Sequence, residues 1–265
     1  MIDAIEIEIL KKQVLAVKKQ KVTTAVPRSV SAVDRELGLM VISTKGVRMN
    51  LENMAIFSLE TGEQVDGFGI PHPDYEIHLE VYRAHPEIRS VLIFSTETVN
   101  LYCRMGKPIP VYSATHARSF KKEIPCSGEL TESEYENDYL AATGRAIVRA
   151  IGPDPVESRG AVIIRYEGAL VWNKTPVTAL ESARALVNVI TITNSTLNKC
   201  PEGLDPMPQG LADRYFREAD KEVEVMDGTE SAGEPGKAIT MRDQKKISLE
   251  LLAYFDQVCR EHDIK

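Results

Sequence analysis

Apolar positions recur at helical spacing near the start of the chain, where Ile5, Ile9, Leu10, Val14 and Val17 line one side of residues 2–19 and Pro27 closes the segment. The period then shortens to that of strands. Residues 38–43 (GLMVIS) and 55–59 (AIFSL) predict two short buried strands, with a turn over 60–63 after the second. A helix is predicted over 74–85, stopped by Pro86, then a strand over 90–94 and a helix running to Gly106. Residues 131–150 predict one long amphipathic helix, opened by a capping box at Thr131 and Glu134. Strands over 160–164 and 170–172 follow. A turn over 173–176 leads into a helix over 177–197 with Leu180, Ala183, Val187 and Ile190 on one face. Tight turns join some of these strands, which favours an α/β fold with a mixed or antiparallel sheet and helices on both sides.

From residue 226 the composition changes. Residues 226–238 (MDGTESAGEPGKA) read as a linker, and 239–265 as a terminal amphipathic helix carrying Ile247, Leu251, Phe255 and Val258. The expected organisation is a main domain over 1–225, the linker, and that helix. The composition, 43% hydrophobic and 27% charged over 265 residues, can bury a core without disulfides or metal. Net charge is −7 with the basic residues scattered, which argues against a nucleic-acid partner, whose phosphates need a concentrated cationic face. Asp3, Glu6 and Glu8 interrupt the N-terminal apolar pattern, so no secretory signal is read there, and no apolar run reaches membrane-spanning length. Cys103, Cys126, Cys200 and Cys259 form no CxxC pair and read as reduced thiols of a cytoplasmic protein.

Four stretches carry a family resemblance: Val30-Ser31-Ala32-Val33-Asp34-Arg35; Ser58-Leu59-Glu60-Thr61-Gly62-Glu63; Thr115-His116-Ala117 with Ile124-Pro125-Cys126; and the frame of Gly168, Trp172 and Lys174. In order and spacing, over about residues 5–225, the chain resembles the class II aldolase/adducin family, nearest its L-ribulose-5-phosphate 4-epimerase branch. The resemblance implies a central, mainly antiparallel mixed sheet flanked by helices, and a homotetramer with active sites at subunit interfaces. It also implies metal chemistry, in which a divalent ion holds a carbonyl and a hydroxyl of a sugar phosphate and stabilises an enediolate.

Most positions matching that chemistry are altered here. The family's His-x-His pair falls on Ile93 and Ser95, its third histidine on Glu167, and its carboxylate survives as Asp74. The acid/base aspartate is replaced by Arg118, and the C-terminal tyrosine has no match around residues 222–225. The phosphate-binding Gly-Asn becomes Arg28-Ser29, a serine–glycine loop becomes Lys45-Gly46, and a serine pair becomes His72-Pro73. No His-x-His occurs anywhere; the histidines are His72, His78, His85, His116 and His262. No zinc and no other cofactor is therefore expected, since zinc prefers imidazole and thiolate. A hard divalent cation at Asp74 and Glu167, joined by Glu97, is the all-oxygen alternative.

The candidate catalytic residues are Asp74, Arg118 and Glu167. The candidate substrate-binding residues are Arg28, Ser29, Lys45, Gly46, His72 and Arg165. Carboxylates crowded without a cation repel one another, so an ion pair between Arg118 or Arg165 and Asp74 or Glu167 is expected where the family keeps its metal. His78, one helical turn beyond Asp74, reads as a packing histidine. His116 sits in a retained motif without its acid/base neighbour, and Cys126 belongs to a sequence motif that needs no thiol chemistry. Arg28 and Lys45 read equally as anion ligands or as solvated loop cations. Residues 251–265 (LLAYFDQVCREHDIK) also resemble the lead-in helix of LicD-family phosphotransferases, which implies a fragment or remnant of a larger fusion and a link to cell-surface polysaccharide metabolism.

Two functions are in play. One is a scaffold that has lost the zinc-dependent reaction and serves as a binding or assembly module, as the adducin head does on this fold. The other is an enzyme with a remodelled non-zinc site acting on a sugar phosphate, Arg118 and Arg165 supplying positive charge to the enediolate.

Overall fold

The computed structural model describes residues 2–45, 49–153, 157–200 and 203–226, so Gly46, Cys259, nearly all of the proposed linker and the terminal helix lie outside the described residues. A seven-stranded sheet in the order β4-β3-β2-β1-β5-β7-β6 organises the rest. Its strands are β1 (Ser29–Asp34), β2 (Leu39–Ile42), β3 (Ala55–Ser58), β4 (Gln64–Asp66), β5 (Ser90–Phe94), β6 (Gly160–Ile164) and β7 (Gly168–Asn173). Every pairing between these strands is antiparallel, and short turns join β1 to β2, β3 to β4 and β6 to β7.

Side chains alternate across the sheet and fill two cores. Val30, Ala32, Leu92 and Phe94 face one side, where α1 (Ile2–Lys18), α3 (Glu97–Met105) and α7 (Pro176–Leu197) pack. Val33, Val91, Ile93 and Leu170 face the other, covered by α2 (Tyr75–Ala84) and α6 (Tyr139–Ile151). These two helices approach closely because α6 carries Gly144, where a Cβ would stand 2.7 Å from the Glu80 Cβ. The α7 face read from the sequence is buried throughout, at Leu180, Ala183, Val187 and Ile190.

Several local expectations need correction. The helix over 131–150 is two: α5 (Glu132–Asn137), which keeps the capping box, and α6, separated by Asp138 at φ −154°, ψ 48°. The reason is packing, since α5 buries none of its residues while α6 turns in to cover α2. Strand β1, which carries one of the family stretches and has no strand periodicity of its own, lies at the centre of the sheet, paired with β2 and β5. Its serines break the apolar alternation on one face, which hides it from a hydrophobicity pattern. The structure adds the short β4, α4 (Ala114–Ser119) and α8 (Gln209–Met226), and α8 packs on α4. Among the described residues no helix is long and apolar enough to cross a membrane.

Candidate functional site

Strand period places Ser29 and Ser31 on the same face of β1, towards α2. Asp74 is the N-cap of α2, but its side chain makes no capping bond. The carboxylate turns into the sheet instead, where Oδ2 accepts from Ser29 Oγ at 2.8 Å and from Arg28 Nε at 2.8 Å. Glu167 enters from the tight β6–β7 turn, which closes through Tyr166 at φ 65°. Gly168 follows it because a Cβ there would stand 2.4 Å from the Phe94 carbonyl oxygen. Glu167 Oε2 accepts from Arg28 Nη1 at 2.6 Å, and Oε1 accepts from the Tyr139 hydroxyl. One guanidinium thus joins two carboxylates delivered by separate parts of the fold.

The loop that presents Arg28 is itself pinned. The Arg28 N–H donates to the Ile93 carbonyl at 2.8 Å, and Lys18 Nζ, at the end of α1, donates to the carbonyls of Pro27 and Arg28. Burial lowers the Lys18 amine, with Asp74 pulling the other way. Burial opposes ionisation of Asp74 too, but the neighbouring His72 ring and the Arg28 guanidinium outweigh it and hold the carboxyl well below the usual range. His72 Nδ1 stands 3.3 Å from Oδ2 yet already accepts the Asp74 N–H at 3.2 Å, so we assign most of that depression to Arg28. Burial and the bond to Glu167 push the Tyr139 hydroxyl up to about 12.

Behind Asp74 runs a closed chain of hydrogen bonds. The ionised carboxylate only accepts, so Ser29 Oγ donates to it and must accept from His78 Nε2–H at 2.9 Å. His78 Nδ1 then accepts from Ser31 Oγ at 2.6 Å, and Ser31 accepts from the Tyr82 hydroxyl at 2.7 Å. This directionality requires a neutral His78, and full burial pushes its pKa down to about 3. The packing role read from the sequence therefore holds, with a fixed tautomer added.

The other candidates lie elsewhere. Arg118 pairs with Glu222 of α8 on an exposed surface. Arg165 turns away from Glu167, donating to Glu129 at 2.8 Å and to the Arg104 carbonyl at 3.1 Å, and stacks on Tyr166. The expected ion pair exists, but with Arg28 in place of Arg118 or Arg165. The loop before β1, pinned by Ile93 and Lys18, sets Arg28 beside Asp74, whereas Arg118 and Arg165 are held by Glu222 and Glu129. Lys45 is exposed, although its N–H donates to Ile70 and so fixes it beside the segment carrying His72. His116 is fully buried, donates from Nε2 to the Lys122 carbonyl at 3.1 Å, and is pushed down to about 4 by burial. Lys18 and Tyr139 were missed by sequence reasoning; nothing in their local pattern marks them, since both reach the site only through the packing of α1 and α6.

The donors present do not fit the family's metal. Ile93 is in the core, the Ser95 hydroxyl is spent on Asn100 at 2.6 Å, and oxygens of both remaining carboxylates are engaged by Arg28. Among the described residues no group of three or more His, Cys, Asp or Glu side chains is placed to hold a metal ion.

Comparison with known proteins agrees with this fold. The chain is 30% identical over 192 residues to the L-ribulose-5-phosphate 4-epimerase UlaF of Salmonella paratyphi A, spanning 71% of this chain and 83% of that one. Among solved structures it resembles an L-fuculose 1-phosphate aldolase with a TM-score of 0.65 and 18% identity, covering 80% of this chain and 96% of the other. The L-fuculose 1-phosphate aldolase of Glaciozyma antarctica superposes with a TM-score of 0.60 and 16% identity over 87% and 94% of the two chains. The profile of the Class II Aldolase and Adducin N-terminal domain matches residues 14–193, well over half of the sequence, and the chain belongs to that family.

Proposed function

We propose that this chain is a class II aldolase-fold protein that has lost the metal-dependent sugar-phosphate reaction and acts as a binding or assembly module. The observation that supports this is the Arg28 guanidinium, bonded to both Asp74 and Glu167 where metal ligands are expected. Asp74 and Glu167 are matched in charge by Arg28 and Lys18, so a divalent ion added there would face two cations. Assembly is supported by Val65 in the edge strand β4 and by Phe68 and Ile70 just after it, which are 54%, 96% and 75% exposed. A patch of that kind is covered most economically by a second copy, and a cytoplasmic homotetramer is the assembly we favour.

The test has two arms. Plasma emission spectrometry on protein purified without chelator should find no stoichiometric divalent metal. The pure chain should leave L-ribulose 5-phosphate unchanged with or without added Zn2+ or Mn2+. One metal per chain together with turnover would defeat the reading. Light scattering should give an oligomer that Phe68→Ser weakens, and a monomer at every concentration would remove the assembly part.

A second reading keeps an active, non-zinc sugar-phosphate enzyme. It is favoured by Arg28 Nη2, which is buried and has no partner, leaving an N–H free to donate to a substrate oxygen. Metal-independent turnover abolished by Arg28→Lys would select it.

A further inference from the structure

We propose that this chain assembles head to tail, the Phe68 ring of one copy filling the pocket beside Trp172 of the next, so that the contact closes into a ring of copies. The proposal rests on the assembly part of the reading above and extends it, from an exposed patch to the surface that receives it.

Phe68 is held out by the backbone around it. Gly67 and Gly69 lie flat on residues 53–54, where a Cβ on either would stand 1.8 Å from the Met54 or Asn53 carbonyl oxygen. Gln64 Nε2 donates to the Gly67 carbonyl at 2.8 Å and to the Gly69 carbonyl at 3.3 Å, and the Lys45 N–H donates to the Ile70 carbonyl at 2.9 Å. With both neighbours pressed onto the fold, the ring between them stays outside and is 96% exposed. An aromatic side chain on so fixed a loop loses little freedom on docking, which suits it to anchor a contact.

The receiving pocket lies at the other edge of the sheet. Phe120, Ile124, Ala150, Ile151 and Trp172 line a hollow of about 230 Å³ between the start of β6 and the end of α6. Gly160 makes room for the Trp172 ring, since a Cβ there would stand 2.1 Å from Cζ2, and Trp172 Nε1 donates to the Glu157 carbonyl at 3.0 Å. Pockets for small-molecule ligands usually run to about 300–1,000 Å³, so this hollow suits one side chain better than a substrate. Charge agrees. The β4 edge exposes Glu60, Glu63 and Asp66, whereas the pocket carries Lys121, Lys122 and Arg159 against Glu123 and Glu157. Lys121 is bonded to Glu157 and Arg159 to Asp220, which among the described residues leaves Lys122, exposed at the rim, as the cation for the incoming acidic edge. The knob and the pocket lie at opposite edges, beside β4 and β6, the first and last strands of the sheet. Each copy therefore gives Phe68 to one neighbour and receives it from another, the head-to-tail arrangement that closes into rings.

The experiment uses two variants of the full chain, Phe68→Asp without the knob and Ala150→Trp with the pocket filled, followed by light scattering and native mass spectrometry. Each alone should be folded and should associate at least about tenfold more weakly than the unaltered chain. Mixed in equal amounts they should form a one-to-one dimer, because the intact Phe68 of the second variant enters the intact pocket of the first. Folded variants that stay monomeric on mixing overturn the proposal, and so does an oligomer that survives Ala150→Trp unchanged. If Ala150→Trp does not fold, Lys122→Glu at the exposed rim takes its place and is read in the same way. A monomeric unaltered chain would defeat the assembly reading and this contact with it. An unaltered oligomer indifferent to both substitutions would defeat this contact alone and leave the assembly reading standing.

Discussion

Arg28 and Asp74 are 46 residues apart in sequence, and Nε of the first donates to Oδ2 of the second at 2.8 Å. Asp74 is almost fully buried, whereas Arg28 keeps an exposed edge. This asymmetry governs what each side chain contributes. An arginine that loses its carboxylate can turn to water, but a carboxylate that loses its arginine stays in the fold without compensation.

Arg28→Ala should therefore destabilise the protein by about 2–4 kcal/mol, between the values usual for exposed and for buried pairs. Adding Asp74→Asn should recover part of that loss, because the orphaned charge disappears. Urea melts of both single variants and the double variant read the coupling, and strictly additive losses would show that the pair is not a unit.

Arg118→Ala should cost less than about 1 kcal/mol, because its bond to Glu222 joins two exposed side chains. A thermal melt reads this directly. A loss as large as that of Arg28→Ala would place Arg118 in the buried network after all.

Stability should fall as pH drops from neutrality. His78 titrates at about 3 in the folded chain and His116 at about 4, both displaced downward from 6.5 by burial. The unfolded chain takes up those protons first, so the stability present above pH 6.5 is lost as pH falls towards these values. By about pH 4 the His78 contribution should be roughly 3 kcal/mol. The depressed Asp74 adds a loss only below its ordinary value of 3.8. Urea melts across this range should show a steep slope that His78→Gln flattens, even though that variant is weaker throughout.

Lys18→Met should cost about 1–2 kcal/mol by removing the donor shared by two loop carbonyls. It should also couple to Arg28→Ala in a double-mutant cycle, since the amine holds the loop that aims the guanidinium. Independent effects in that cycle would show that the loop is held by the Arg28 N–H bond to Ile93 alone.

Read alone, the sequence determined the class of the fold, the positions of β2, β3, β5, β6 and β7, the apolar face of α7, and the absence of any His-x-His pair. Those features rest on local periodicity or on residue identity, and both are written along the chain. It also named Arg28, Asp74 and Glu167 as candidates, yet assigned the ion pair to Arg118 or Arg165. Which cation meets the carboxylates depends on the loop before β1, held by Ile93 and by Lys18 from α1, and on the turn that aims Glu167. The break at Asp138 belongs to the same class, because only the packing of α6 on α2 makes one continuous helix unfavourable and brings Tyr139 to Glu167. Contacts between residues far apart in the chain have no periodic signature, so tertiary structure alone decided which charge sits in the site.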